Sequence, residues 1–177
     1  MAPVPDPEFD KVYKWLDLLQ GREKLSQGCR ALIDDLDDSI RVGAVRIEMI
    51  GCIDRLVRYL ETSSYGPERG RLYLECGRAF QRINNPKKAE RSLREAVNWY
   101  QTYPHELGVA NVLLAVLLWD SYDCAEALSC FRRAQEQFQR LYREPDLQEQ
   151  ARKNITWYRD RIADLDQWLA RYATRSC

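Results

Sequence analysis

Two stretches of this chain superpose on one another at an offset of 38 residues, and that correspondence restricts the fold more than any other feature. In the first, Tyr73, Cys76, Gly77 and Phe80 fall at helical spacing and are followed by Ala89, Leu93 and Ala96. In the second, Asn111, Leu114, Ala115 and Leu118 are followed by Ala127, Phe131 and Ala134. Small and large side chains recur in the same order. Two helices approach closely only where the side chains at their crossing are small, which predicts Gly77 against Ala89 and Ala115 against Ala127. Phe80, Leu93, Leu118 and Phe131 then fill the space beyond each crossing, while Ala96 and Ala134 leave room for a following helix to dock.

The rest of the chain is punctuated for helices as well. Asp6-Pro7-Glu8 supplies an N-cap residue, a proline at the first helical position and an early acid, followed by Val12, Trp15, Leu16 and Leu19 up to a break at Gly21. Three prolines in the first seven positions make residues 1–7 a disordered lead. Leu25, Cys29, Leu32, Ile33 and Leu36 share one face of a helix over 22–36, and Ile50, Ile53, Leu56, Val57 and Leu60 form the stripe of one over 40–62. Tyr65-Gly66-Pro67, Asn85-Pro86, Tyr103-Pro104 and Pro145-Asp146 divide the remainder into helices over 68–83, 86–100, 106–119 and 124–142 and a long last one ending near 173. Asp123 with Glu126, and Asp146 with Glu149, read as capping boxes. In the last helix Tyr158, Ile162, Leu165, Leu169 and Tyr172 keep one side apolar. No segment alternates as a strand does, and no Asn-Gly or Asp-Gly turn occurs. The expected fold is all-α, built of antiparallel helical hairpins with short turns in one domain spanning 8–177.

The spacing of the small residues resembles the tetratricopeptide repeat, whose signature places them at its eighth, twentieth and twenty-seventh positions. Counting from residue 70, the matching residues are Tyr73, Gly77, Phe80, Ala89, Leu93 and Ala96; counting from residue 108, they are Asn111, Ala115, Leu118, Ala127, Phe131 and Ala134. The clearest repeats are then 70–103 and 108–142. Asn111 stands where the family's pattern has an aromatic residue, and the repeat is about four residues longer than the family's 34. The resemblance implies hairpins stacked in a right-handed array closed by a long C-terminal capping helix, and a non-catalytic role as a protein-binding adaptor or scaffold. It also implies that the first helix of each hairpin lines a concave groove. Arg71, Leu74, Arg78, Gln81 and Arg82 would come from the first hairpin and Val109, Val112, Val116 and Trp119 from the second. An acidic or amphipathic segment of another protein, or a second copy of the chain, suits such a groove.

Helix 106–119 is apolar all round, and such a helix is buried all round. Its cover is the final helix folding back, a second subunit, or a partner's helix. The chain sum of 27 Lys+Arg against 27 Asp+Glu excludes a uniformly basic nucleic-acid-binding body. Charge is nonetheless uneven: residues 69–94 hold eight Lys/Arg against Glu75 and Glu90, leaving as the alternative a regulatory subunit that meets nucleic acid through this face. The Lys/Asn clamp for a C-terminal carboxylate is not carried over, because Leu74 occupies one of its positions.

Catalysis has little to stand on in the sequence. The single histidine, His105, follows Pro104 and reads as an exposed turn residue. The acids Asp34, Asp35, Asp37 and Asp38 lack the order of an EF-hand and sit at an expected helix C-terminus, the unfavourable end of the dipole. No phosphate-binding glycine loop, zinc motif or nucleophile elbow occurs, and no cofactor or metal is expected. The longest apolar run, Val112 to Trp119, is eight residues where a membrane span needs about twenty. Six cysteines without a C-x-x-C pair, in a chain with no recognisable export signal, read as buried thiols of a cytoplasmic or nuclear protein. With five tryptophans, Trp15, Trp99, Trp157 and Trp168 are too many for a thin helical array to bury completely.

Overall fold

The computed structural model describes residues 4–18, 24–63, 65–148 and 151–175. The chain is all-α, with no strand among the described residues. The helices are α1 (Phe9–Tyr13), continued by a 3-10 segment Lys14–Leu18, then α2 (Gln27–Arg41), α3 (Arg46–Thr62), α4 (Gly66–Arg82), α5 (Pro86–Trp99), α6 (Pro104–Asp120), α7 (Cys124–Arg143) and α8 (Ile155–Ala173). None among the described residues is long and apolar enough to cross a membrane. Leu19, Gly21, the expected helix start at 22–23, Glu149 and Cys177 lie outside the described residues.

Several boundaries differ from the sequence expectation for identifiable reasons. Ser26 caps α2, its side chain accepting from the Cys29 amide, so the helix begins at Gln27 and runs on to Arg41. The four aspartates therefore sit within the helix rather than at its end. The chain turns at Gly43, φ +69°, and α3 begins only at Arg46. Residues 145–147 and 152–154 form 3-10 turns, and α8 starts at Ile155 instead of at Asp146.

The chain forms two compact units where a single domain was expected. One is inserted in the sequence, Arg22–Tyr100; the other combines Met1–Gly21 with Gln101–Cys177. In the inserted unit, α2, α3 and α4 close around Cys29, Ile33, Leu36, Met49, Cys52, Ile53, Leu56, Leu60, Leu72, Cys76 and Ala79. In the flanking unit, α1 packs on α6, α6 on α7 and α7 on α8. Residues 4–7 are not the free lead that the prolines suggested. They lie along α8, and Asp6, expected as the α1 cap, instead meets Arg171 at 2.5 Å.

The 38-residue repeat extends well beyond the seven matched positions. Helices α4 and α6 start at 66 and 104 and end at 82 and 120. The turns that follow carry left-handed residues at equivalent places, Asn84 (φ 56°) and Tyr122 (φ 65°). Asn85 caps α5 through the Lys88 amide at 3.3 Å, and Asp123 caps α7 through the Glu126 amide at 3.4 Å. Gly77 lies at the α4–α5 crossing as expected: a β-carbon there would stand 2.9 Å from Leu93 Cδ2 and 3.5 Å from the Ala89 carbonyl. Ala115 and Ala127, their counterparts in α6 and α7, are fully buried. A further pair was not foreseen. The Tyr100 ring lies on Gly70 so closely that a β-carbon would stand 2.7 Å from Cε1, and Phe138 occupies the same place on Gly108.

Candidate functional site

Six of the nine residues expected to line an open groove are buried. On α4, Arg71, Leu74 and Arg78 are buried, with Gln81 half-buried and Arg82 exposed. Arg71 Nε donates to Glu75 Oε1 at 2.8 Å, Arg78 Nη1 donates to Asp37 Oδ1 at 2.5 Å, and Glu75 Oε2 lies 3.6 Å from Arg78. The arginines are thereby committed to carboxylates of their own unit. On α6, Val109, Val112 and Val116 are buried and Trp119 is half-buried. Its cover within the flanking unit includes α8, whose Tyr172 ring stacks on Trp119 at 4.2 Å. The first set belongs to the inserted unit and the second to the flanking one.

The basic excess of 69–94 also turns partly inward. Arg69 donates to the Leu60 carbonyl at 2.7 Å and to that of Ser63, and lies 4.8 Å over the Trp99 ring. Arg94 pairs with Glu90. Lys87, Lys88 and Arg91 on α5 remain exposed. Of the aspartates on α2, Asp37 holds Arg78, Asp38 holds Arg41 at 2.7 Å and Asp35 lies 3.6 Å from Arg55. They act as counter-ions.

His105 corrects the sequence reading most sharply. It lies in the first turn of α6 and is fully buried. Its Nε2 is 2.7 Å from the Trp15 carbonyl, which only accepts, so Nε2 carries the proton and donates; Nδ1 then accepts from the Tyr158 hydroxyl at 2.9 Å. Burial lowers its pKa to about 4, against the raising effect of the Trp15 hydrogen bond. Burial, then the Glu106 charge, pushes Tyr158 well above the usual phenol range. Trp15, Trp157, Phe138 and Tyr158 surround the imidazole. A neutral ring bonded at both nitrogens and sealed by aromatic groups ties the α1 segment, α6 and α8 together. No pattern of one histidine after a proline signals this, because its partners come from 90 and 53 residues away.

Cys29, Cys52, Cys76 and Cys130 are buried thiols, but Cys124, expected to be one as well, is disulfide-bonded, which corrects the reading of every cysteine as a reduced thiol. Burial, helped by the Glu68 charge at Cys29 and the Glu75 charge at Cys76, pushes both of these up to about 12. Each is therefore a protonated small hydrophobe, since thiolates carry the nucleophilic chemistry. Among the tryptophans, Trp168 is buried, Trp15 and Trp157 half-buried, and Trp99 is 38% exposed.

What the inserted unit leaves open is the outer side of α3. Ile47, Ile50 and Val57 are 76%, 40% and 42% exposed and follow one face of the helix. That face leads to a groove of about 200 Å³ lined by Val57, Leu60, Tyr73, Cys76, Phe80 and Ser92 together with Glu61 and Arg69. Lys88 Nζ stands 5.5 Å over the Phe80 ring. An apolar floor beside the lysines of α5 is suited to an amphipathic segment with acidic residues along one side. The sequence reading placed Ile50 and Val57 in the core stripe of this helix, because a hydrophobic period does not distinguish a buried face from an uncovered one.

Comparisons with known proteins place no relative beside this chain: no family model matches it, and neither a curated protein nor a solved structure matches significantly.

Proposed function

We propose that this protein is a non-catalytic interaction adaptor of the tetratricopeptide-like helical-repeat kind, and that it takes an acidic amphipathic helix of another protein on the α3–α4–α5 face. The observation that carries this reading is the line of Ile47, Ile50 and Val57, uncovered on α3 and continuous with the Tyr73–Phe80 groove. Scattered exposed apolar residues need no explanation, whereas a helical line of them beside a groove marks a contact surface. The repeated hairpins support the repeat-protein reading, with equal offsets in caps, turns and glycine–ring packing. The groove of Arg71, Arg78, Val112 and Val116 implied by the resemblance is set aside, because burial leaves those side chains no access to a partner.

The test uses the full chain and a synthetic helical peptide with leucines on one face and glutamates on the other. Binding is expected to fall at least tenfold in Ile50→Asp and Val57→Asp and to weaken in Lys88→Glu, with unchanged circular dichroism. Equal binding by all three variants overturns the reading. Binding to a DNA duplex or an RNA strand that falls steeply with salt would replace it with a nucleic-acid partner.

A further inference from the structure

Residues 4–7 of the flanking unit, Val4-Pro5-Asp6-Pro7, belong to neither helix nor strand and lie along one face of α8. Four of their polar groups, the Val4 amide and carbonyl, the Pro5 carbonyl and the Asp6 carboxylate, are bonded by side chains of that helix and of the turn after it. Gln167 Oε1 accepts from the Val4 amide at 3.1 Å. Trp168 Nε1 donates to the Pro5 carbonyl at 2.9 Å. The Arg171 guanidinium donates to the Val4 carbonyl and to Asp6 Oδ1, and Arg175 reaches Asp6 Oδ2 at 3.4 Å. Pro5 and Pro7 have no amide proton, so a run of this composition presents few donors. Burial raises the Asp6 pKa, but its hydrogen bonds with Arg171, Tyr172 and Arg175 and the Arg175 charge together hold it below the usual value.

The packing around the run is loose by comparison. A cleft of about 360 Å³ opens beside it, lined by Val4 to Glu8 together with Trp15, Arg161, Asp164 and Trp168. A second of about 210 Å³ lies against Asp6 and Pro7, lined by Val116, Trp119, Asp120, Phe131 and Tyr172. The segment is held by directed hydrogen bonds and one carboxylate, not by close burial, and Pro5 and Asp6 are exposed. Aromatic walls, an indole donor to a proline carbonyl and an arginine pair for an acid are the means by which proteins recognise proline-rich extended segments.

We infer that Gln167, Trp168 and Arg171 of α8, with Arg175 just after it, form a recognition site for proline-flanked acidic segments of another protein, and that residues 4–7 occupy it as a built-in ligand. The incoming segment is extended, carries an aspartate between prolines, and displaces the internal copy. This site belongs to the flanking unit and does not depend on the α3 reading.

The experiment uses two full-length variants, Asp6→Lys, which removes the internal carboxylate, and Val4→Gly/Pro5→Gly, which loosens the run without touching Asp6. The probe is a fluorescein-labelled peptide of residues 2–8, Ala-Pro-Val-Pro-Asp-Pro-Glu, followed by polarisation. Asp6→Lys is expected to bind it at least tenfold more tightly than the unmodified chain, and the double glycine variant to fall between them. Adding Arg171→Glu to Asp6→Lys, or replacing the peptide's aspartate by asparagine, should remove at least tenfold of that binding. No binding by either folded variant overturns the inference. So does loss of folding in both, since a segment required for folding is not a displaceable ligand. An unmodified chain that sediments as a dimer exchanging this segment overturns it in favour of a second copy as the occupant.

Discussion

The α4–α5 and α6–α7 hairpins share a backbone and differ in what they bury. Their helices begin in register, their turns use the same left-handed position, and a ring lies on the same glycine in each. Yet where α4 carries Arg71, Glu75 and Arg78, α6 carries Val109, Leu113 and Val116 at the positions 38 residues on, and all six are buried. Glu68 and Glu106, also equivalent, are buried with polar partners, Ser26 for one and Gln148 for the other. Hairpin geometry thus depends on small residues and caps, while the chemistry of the first helix follows from what covers it. In the inserted unit α2 brings Asp37 to Arg78; in the flanking unit α1 brings Phe9, Val12 and Tyr13.

The comparison can be broken most strongly at the charges. Arg71→Ala takes the nearer of two guanidinium groups from Glu75, which is fully buried, and should cost about 3–5 kcal/mol in urea unfolding. Val109→Ala at the equivalent site removes only apolar contact and should cost about 2 kcal/mol or less. Grafting the second hairpin's residues as Arg71→Val/Glu75→Leu/Arg78→Val removes the three α4 charges together, leaves only the partly exposed Asp37 of α2 from the network, and should cost less than Arg71→Ala alone. A graft that is the more damaging of the two would show that α4 needs its charges for more than mutual compensation.

The next effect concerns His105, which stands where the first hairpin has Pro67. Its folded pKa of about 4 lies below the unfolded value near 6.5, so the unfolded chain binds more protons between these limits. Its stabilisation is complete above pH 6.5 and is lost as pH falls toward 4, by about 3 kcal/mol in all. Urea midpoints taken between pH 4 and 7 should fall with pH in the unmodified chain, with a shallower slope in His105→Phe.

Smaller effects test the shared geometry. Gly108→Ala drives a β-carbon into Phe138 and Gly70→Ala into Tyr100, each costing about 1–3 kcal/mol. Pairing Gly108→Ala with Phe138→Leu should give less than the sum of the two, as contacting sites do. Smallest of all, Asn85→Ala and Asp123→Ala should each lower stability by about 1 kcal/mol, and by similar amounts if the caps are equivalent. Thermal melts of the pair decide it.

Much of the fold was legible because its causes are local. Asn85-Pro86 and Tyr103-Pro104 break helices through the proline ring wherever they occur, and Gly77 with Ala89 marks a crossing by the absence of bulk. The Gly70–Tyr100 and Gly108–Phe138 pairs were within reach of the same offset, since each pair is 30 residues apart, but glycine near a helix start invites a reading as a turn residue. The site was far less legible. The expected groove rested on treating the first helix of each hairpin as uncovered, and the elements that cover it, α1 and α2, carry no repeat signal.

By itself the sequence determined the all-α class, the two hairpins and their phase, because helix period, proline breaks and small crossing residues act over a few turns of chain. Only the tertiary structure decided that Arg71, Arg78 and Val112 face inward, that His105 is neutral at the centre of an aromatic cluster, and that residues 4–7 lie along α8. Arg78, His105 and residues 4–7 are held by partners that lie from 41 to more than 160 residues away in the chain. Burial and charge state are properties of the surroundings a residue acquires in the folded chain, and those surroundings are not written in its own neighbourhood.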